Sequence, residues 1–422
     1  VDESACIRLR GGALAQISCA LARGLHAVPS GVLVVAAPIT SDGRIEKPRA
    51  LSARVAELLA GALGRGARYA PEPSSLGSAR PLAAGASGLV FVRAEITRGQ
   101  FRAVADLYEV RERFWQRVRD PAPAPRAHAF ASSRLDAELR TFLPPVPLLA
   151  RSLEKARTSG DDLIALACED TDQDGALEIV WAGRRHVGVG RIRQGQLTPL
   201  AARPWAELSP VAGNPLREPL AGIAIHAGRF IDIGSTDRAD GVRFDPALSP
   251  IAKLGRHIPW PTSGCAALGD VALQGTVVAC TKGDTASTRI AFSHGLDALA
   301  AAEVVDRSGR LHEYRAARSS QTGELVVRHE GGRHVTLPGS GAQVALGDLD
   351  LDGQPEIVTT ADSLDPHGDV VRVRTWQENG QILERWRMRV PTGVQALAVC
   401  PPESDGPRSV VVATRAALWV IR

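Results

Sequence analysis

Apolar positions recur every three to four residues from Ala13 to Leu25. They do so again at Leu51, Val55, Leu58, Leu59, Ala62 and Leu63, which predicts two amphipathic helices. Pro48 suits the start of the second helix, and Gly64 and Gly66 suit its end. Between the two, Gly31 to Ile39 (GVLVVAAPI) is a continuous apolar run and reads as a buried strand. Leu89 to Ile96, a turn at 97–100 and Phe101 to Val110 read as a β-hairpin. A short helix is expected over Ser132 to Phe142, with Leu135, Leu139 and Phe142 on one side. Residues 1–120 are thus expected to form a small α/β domain.

Helix-breaking prolines at 120–125 and at Pro144, Pro145 and Pro147 bracket an expected linker, 121–146, that carries the short helix. From 147 to 422 strand patterns dominate and turns arrive at short intervals. Two segments there match closely. DTDQDGALEIVWA begins at Asp170 and DLDLDGQPEIVTTA at Asp348, 178 residues on, or four repeats of about 44. Trp205, Trp260 and Trp386 each finish a strand-like segment, at a compatible spacing. Repeats of this length suit four-stranded propeller blades. The fold class is therefore mainly β: a propeller of about six blades, preceded by the α/β domain. Five or seven blades are alternatives, because the third and fourth units are poorly marked. The last unit has only three strands before Arg422, and residues 146–153 (VPLLARSL) are expected to close the ring as its fourth.

Composition narrows the function classes. Apolar residues make up 44% and charged residues 23% of 422, values of a folded chain. The run Gly31 to Ile39 is far short of the roughly 20 residues a membrane-spanning helix needs, so no transmembrane span is expected. Fifty basic against 46 acidic residues is too even for a dedicated nucleic-acid binder. The interleaved Arg111, Arg113, Trp115, Arg117 and Arg119 read as a strand with one solvated arginine face. Six cysteines without a CxxC pair give no zinc or redox motif and favour an oxidising compartment. Pairs Cys6–Cys19 and Cys265–Cys280 are favoured as disulfides. Cys168 and Cys400 fall at similar positions in the first and last units, where two buried thiols are preferred over a bridge. A chain beginning at Val1 reads as a processed secretory precursor or a trimmed chain.

The D-x-D-x-D-G-x-x-E loops carry the most specific chemistry. Calcium takes six or more hard oxygen ligands, and short acids on alternate residues of a sharp turn can converge on one ion. Asp170, Asp172, Asp174, the Ala176 carbonyl and Glu178 supply one candidate set. Asp348, Asp350, Asp352, the Gln354 carbonyl and Glu356 supply a second, giving two structural Ca2+ sites. The competing reading is a pair of metal-free Asp-Gly turns. Glu403, Asp405 and Asp270 are remnants of the motif in other units. The ten histidines show no metal-ligating spacing, and no Walker loop, dinucleotide fingerprint or nucleophile elbow is present. No catalytic residues are assigned, and no enzyme is expected.

With the acid at position nine entering a strand, the loops resemble the FG-GAP or VCBS repeats of integrin-type β-propellers. That resemblance implies that the residues just named are calcium ligands. The strand GVLVVAAPI, the helix ALSARVAELLAGAL and the hairpin GLVFVRAEITRGQFRAVADLYEV resemble the N-terminal α/β domain of the TolB and FlgO families, over about residues 25–115. With a propeller following, the plan resembles TolB. The resemblance implies a secreted, non-enzymatic, calcium-binding scaffold in a bacterial envelope or flagellar assembly. Envelope or flagellar proteins would be its partners, in a ring or other multi-subunit assembly. Its place would be periplasmic, outer-membrane-associated or extracellular. The alternative is an extracellular adhesin or carbohydrate-binding propeller; a propeller hydrolase or lyase ranks third.

Overall fold

In the computed structural model, the residues described are 6, 11–64, 66–110, 124–149, 152–158, 162–213, 219–226, 228–260, 265–268, 273–278, 295–402 and 408–422. The arginine-rich stretch 111–119, Asp270, Cys280, and Glu403 with Asp405 lie outside them.

The N-terminal unit is a mixed six-stranded sheet. Its strands are β1 (Leu33–Ala36), β2 (Thr40–Ser41), β3 (Arg68–Tyr69), β4 (Leu89–Thr97), β5 (Gln100–Tyr108) and β6 (Ala127–Arg134). Their order is β3-β1-β4-β5-β6, with β2 on β4. Helices α1 (Ala13–Gly24) and α2 (Pro48–Leu63) cover one face and α3 (Leu76–Leu82) the other. Burial on both faces explains the unbroken apolar run of β1. Val34 and Ala36 join the α1–α2 core, while Leu33 and Val35 join the core beneath α3.

The unit does not end at residue 120. Strand β6 pairs along β5 from Ala127 to Arg134, and its last three residues, Ser132 to Arg134, are those with which the expected helix would begin. Ala129 and Ala131 are small enough to sit under α1, and the alternation A-H-A-F-A-S supplies period two without any strong strand-forming residue on the inner face. Only Ala137–Arg140 is helical (α4), capped by Asp136, which accepts from the Leu139 N–H at 3.0 Å. Leu135, Leu139 and Leu143 join the same core, so the expected linker 121–146 is largely part of this unit.

Downstream, the described strands form sheets of eight, four, seven and four strands, within which four-stranded antiparallel meanders recur. The first is β8 (Leu163–Glu169), β9 (Glu178–Gly183), β10 (His186–Arg193) and β11 (Gln196–Pro204). The second is β12 (Ala221–His226), β13 (Phe230–Ser235), β14 (Gly241–Phe244) and β15 (Pro250–Gly255). After β16 (His257–Pro259), β17 (Cys265–Leu268) and β18 (Leu273–Val278) come β19 (Leu296–Val305), β20 (Leu311–Ser319), β21 (Leu325–His329) and β22 (His334–Leu337). The fourth is β23 (Ser340–Gly347), β24 (Glu356–Ala361), β25 (Val370–Trp376) and β26 (Ile382–Arg389). The segment between β15 and β19, expected as a whole blade, is described only in part.

The last meander, β27 (Ala396–Cys400), β28 (Ser409–Ala413) and β29 (Ala417–Ile421), is completed by β7 (Leu153–Arg157) from the start of the region. This is the expected closure, but the pairing strand lies later than 146–153 and shares only Leu153 with it. Pro144, Pro145 and Pro147 cannot donate to a ladder, whereas Leu153 to Arg157 pair in register from Ile421 to Ala417.

Closure is covalent as well. Cys168 at β8 and Cys400 at β27 form a disulfide across the first and last meanders, which corrects the preference for free thiols there. Cys6–Cys19 is also bridged, Cys265 is disulfide-bonded, and no described cysteine is free. The innermost strands β8, β12, β19, β23 and β27 line a cavity of about 650 Å³. This is a propeller-like arrangement. In β10, Gly188 is needed because a Cβ there would fall 2.0 Å from the Trp181 ring on the neighbouring strand. No helix among the described residues is long and apolar enough to cross a membrane.

Candidate metal centre

Each acidic loop joins the first two strands of a meander, β8 to β9 and β23 to β24. Both have the same backbone. Position four is left-handed in each, at Gln173 (φ 63°) and Leu351 (φ 57°), and so is position six, at Gly175 (φ 90°) and Gly353 (φ 86°). The first acid accepts from the glycine N–H in both, Gly175 to Asp170 and Gly353 to Asp348, each at 2.9 Å. The closing acid accepts from the N–H of position two in both, Thr171 to Glu178 at 2.8 Å and Leu349 to Glu356 at 2.6 Å. The repeat read from the sequence is thus a repeat of turn geometry.

In each loop the acids at positions one, three and nine come together. Asp170, Asp172 and Glu178 offer oxygens within 4.8 Å of one another, as do Asp348, Asp350 and Glu356. The position-five acids turn elsewhere. Asp174 accepts from the Ala176 N–H and from Arg191, while Asp352 accepts from both the backbone and the side-chain amide of Gln354.

The loops differ in how their charge is met. In the first, Arg191 reaches from β10 into the cluster and donates through Nε to Glu178 and through Nη2 to Asp174 at 2.7 Å, with Asp172 3.8 Å away. The Ala176 N–H and this guanidinium hold Asp174 below the usual carboxylate range, and the Asp174 hydrogen bond in turn raises Arg191. Arg134 of β6 adds a second cation, paired with Glu169 and 3.9 Å from Asp170. In the second loop Thr375 stands opposite Glu356 and donates a neutral hydroxyl to it at 2.8 Å. Its charged neighbours include Arg385 at 3.8 Å from Asp350, Arg307 at 3.6 Å from Asp352, and Arg408, whose charge works to lower Asp348.

Burial separates the loops further. Asp348, Asp350 and Glu356 are 3%, 6% and 0% exposed, whereas the Asp172 side chain is 48% exposed. Desolvation, with repulsion from the neighbouring acids, pushes Asp348 up to about 7 and Asp350 up to about 6, and raises Glu356 well above the carboxylate range. Buried Oδ1 of Asp350 has no hydrogen-bond partner among the described residues, and neither has Oδ1 of Asp170. A chain that buries three acids around an unpartnered oxygen has the donor set for a hard dication. The second loop therefore fits calcium. In the first, a guanidinium already sits among the acids.

Arg191, Arg134 and Thr375 escaped the sequence reading because none lies in the motif. The usable signal was strand register: Gly190 pairs with Ile179, which puts the next residue, Arg191, beside Glu178. The histidines also held more than their spacing showed. His312 and His329 lie on adjacent strands with Glu330. The Gly331 N–H donates to His329 Nδ1 at 2.9 Å, which leaves the His329 Nε2 proton facing His312 Nδ1 at 3.3 Å. His312 Nε2 is then left to donate to Asp306 at 3.1 Å. Glu330 stands beside the pair, 3.3 Å from His312 Nδ1.

No family model matches the chain, and no curated protein matches it. Among solved structures, TolB from Acinetobacter baumannii is similar at 11% identity, over 94% of each chain, with a TM-score of 0.33. Virginiamycin B lyase from Staphylococcus aureus is similar at 8% identity, over 64% of this chain and 98% of its own, with a TM-score of 0.36. The LpoB C-terminal domain from Salmonella enterica is similar at 11% identity, over 29% of this chain and 98% of its own, with a TM-score of 0.22.

Proposed function

We propose that the protein is a non-enzymatic, calcium-binding propeller scaffold of TolB-like plan, secreted and acting through protein contacts in a bacterial envelope or flagellar assembly. The observation that supports it most is the second acidic loop, where Asp348, Asp350 and Glu356 are buried together and Glu356 is met by a neutral hydroxyl, that of Thr375. These three would hold the ion, with Asp352 and the Gln354 carbonyl as the further oxygen donors of the motif. The expectation of two equivalent sites narrows to one ion, since Arg191 meets the charge of the first loop. Bound there, calcium supplies charge balance and a fixed turn. The disulfides Cys6–Cys19 and Cys168–Cys400 suit an oxidising compartment.

Two measurements test this reading. Isothermal titration should find one calcium site per chain, abolished by Asp350→Asn. Affinity capture from native envelope fractions should recover defined partner proteins; emergence as a lone monomer with no envelope association sinks the scaffold reading.

The second reading, a carbohydrate- or matrix-binding propeller, is favoured by the central cavity. Apolar side chains of the inner strands line it, with Asp162 before β8, Glu169 at the end of β8 and Asp297 on β19. Specific binding to a glycan array, lost when Asp162 or Asp297 is replaced by Asn, would select it.

A further inference from the structure

Both acidic loops meet the N-terminal unit. Arg134 of β6 pairs with Glu169 and approaches Asp170 at the first loop. At the second, Leu351 is 1% exposed and belongs to the hydrophobic core of the N-terminal unit, alongside Leu14, Ile17, Leu139 and Leu143. It is the one residue of the propeller-like unit in that core among those described. Its equivalent in the first loop, Gln173, is exposed. Leu351 lies between Asp350 and Asp352, in a left-handed conformation that an L-residue with a branched side chain adopts only when its surroundings hold it there.

The conformation that inserts Leu351 is the conformation that gathers the acids. Asp348 accepts from the N–H groups of Asp352 and Gly353, on the far side of Leu351, and Glu356 accepts from Leu349. Neighbouring segments grip the same turn: the Arg408 N–H donates to the Leu349 carbonyl and Arg307 Nε to the Asp352 carbonyl, both at 2.8 Å. The turn holding Arg307 also reaches the N-terminal unit, through the Gly12 N–H donating to the Gly309 carbonyl at 2.8 Å. Asp350 Oδ1, buried and without a hydrogen-bond partner among the described residues, belongs to the acid cluster.

We propose that the second loop is a cation-dependent latch: a divalent cation held by Asp348, Asp350 and Glu356 fixes the turn that inserts Leu351, and so docks the N-terminal unit onto the propeller-like unit. This rests on the calcium reading of that loop. Three acids gathered without a cation repel one another, and relief by opening the turn withdraws Leu351 from the partner core. Linkage makes the effect reciprocal, so removing the Leu351 side chain weakens cation binding at a site it does not touch.

The test is hydrogen exchange on the full chain in millimolar calcium and in chelator, beside calorimetric calcium titration. Segments 13–24 and 135–143 are expected to exchange about tenfold faster in chelator. Asp350→Asn should make exchange the same in both conditions, while Asp172→Asn, in the first loop, should behave as the parent. Leu351→Ala should weaken calcium affinity about tenfold and lose protection in both segments. Leu351→Met, which keeps an apolar side chain there, should retain both properties and guards against a folding defect. Calcium binding that Asp350→Asn abolishes, with exchange unchanged by chelator, overturns the latch and leaves the calcium reading intact. Absence of binding at the second loop overturns both.

Discussion

Arg191 and Thr375 occupy the same register position in the two acidic repeats, each beside the buried glutamate that closes its loop. Arg191 follows Gly190, which pairs with Ile179, and it donates to Glu178. Thr375 pairs with Glu356 and gives it a hydroxyl. Two loops with the same acid spacing and the same turn geometry thus meet different side chains at this position, a guanidinium in one and a hydroxyl in the other.

Exchanging the two residues should exchange the behaviour of the loops. Arg191→Thr leaves Glu178 buried with Thr171 as its donor among the described residues, and should cost about 2 kcal/mol in chelator. Millimolar calcium should restore part of that loss. Thr375→Arg should melt at one temperature with or without calcium. Thermal melts of both variants in the two conditions measure this, and an Arg191→Thr protein whose calcium increment does not exceed the parent's would count against the first loop as a latent site.

Calcium should stabilise the parent protein through the second loop alone. At a free concentration a hundredfold above the dissociation constant, linkage predicts about 2.7 kcal/mol. Asp350→Asn should abolish the increment and Asp172→Asn should keep it. Denaturant unfolding with and without chelator measures both. An increment that survives Asp350→Asn would place the ion elsewhere.

What the sequence made legible was local. The acids, their spacing and the glycine of each loop sit within nine residues, and the turn they make follows from that spacing. Helices α1 and α2 and the β4–β5 hairpin carried strong periodicity and lie where it put them. What escaped was set by register or by distant contact. Strand β6 was hidden because its inner face is alanine, which marks no strand by propensity. The closing strand was read onto the apolar VPLLARSL, yet the ladder chose Leu153 to Arg157, where only Ala156 faces the core. Leu351 reads as one more apolar residue in a turn, and only the fold shows that it crosses into another unit's core.

Glu138, on α4 at the junction of the two units, should give the N-terminal unit a distinct pH response. Burial raises its carboxyl above the ordinary range, Asp136 and Asp306 add to this, and Arg54 opposes it. A folded value above the unfolded one means that the stability this group contributes is full below the ordinary carboxylate value. It is lost as pH rises through the folded value. The slope is at most about 1.4 kcal/mol per pH unit. Glu138→Gln should flatten that part of the profile, so the variant gains on the parent as pH rises from acid to neutral. Urea midpoints at several pH values measure it; parallel profiles for the two proteins would refute the assignment.

The Cys168–Cys400 bridge should act on ring closure. It spans 232 residues and ties β8 to β27, while β7 ties the same region through hydrogen bonds to β29. Restricting so long a loop in the unfolded chain contributes up to about 5 kcal/mol in the chain-entropy account. The double variant Cys168→Ala, Cys400→Ala should therefore unfold at lower denaturant with an unchanged native spectrum. Its loss should exceed that of Cys6→Ala, Cys19→Ala, whose loop is only 13 residues. Because β7 still pairs with β29, the ring should remain closed without the bridge and open more often. Faster hydrogen exchange in β27 and β29, with β12 to β15 unaffected, would locate the loss at the closure. Uniform acceleration across all meanders would show instead that the ring unfolds as one body and that the bridge has no special tie to closure.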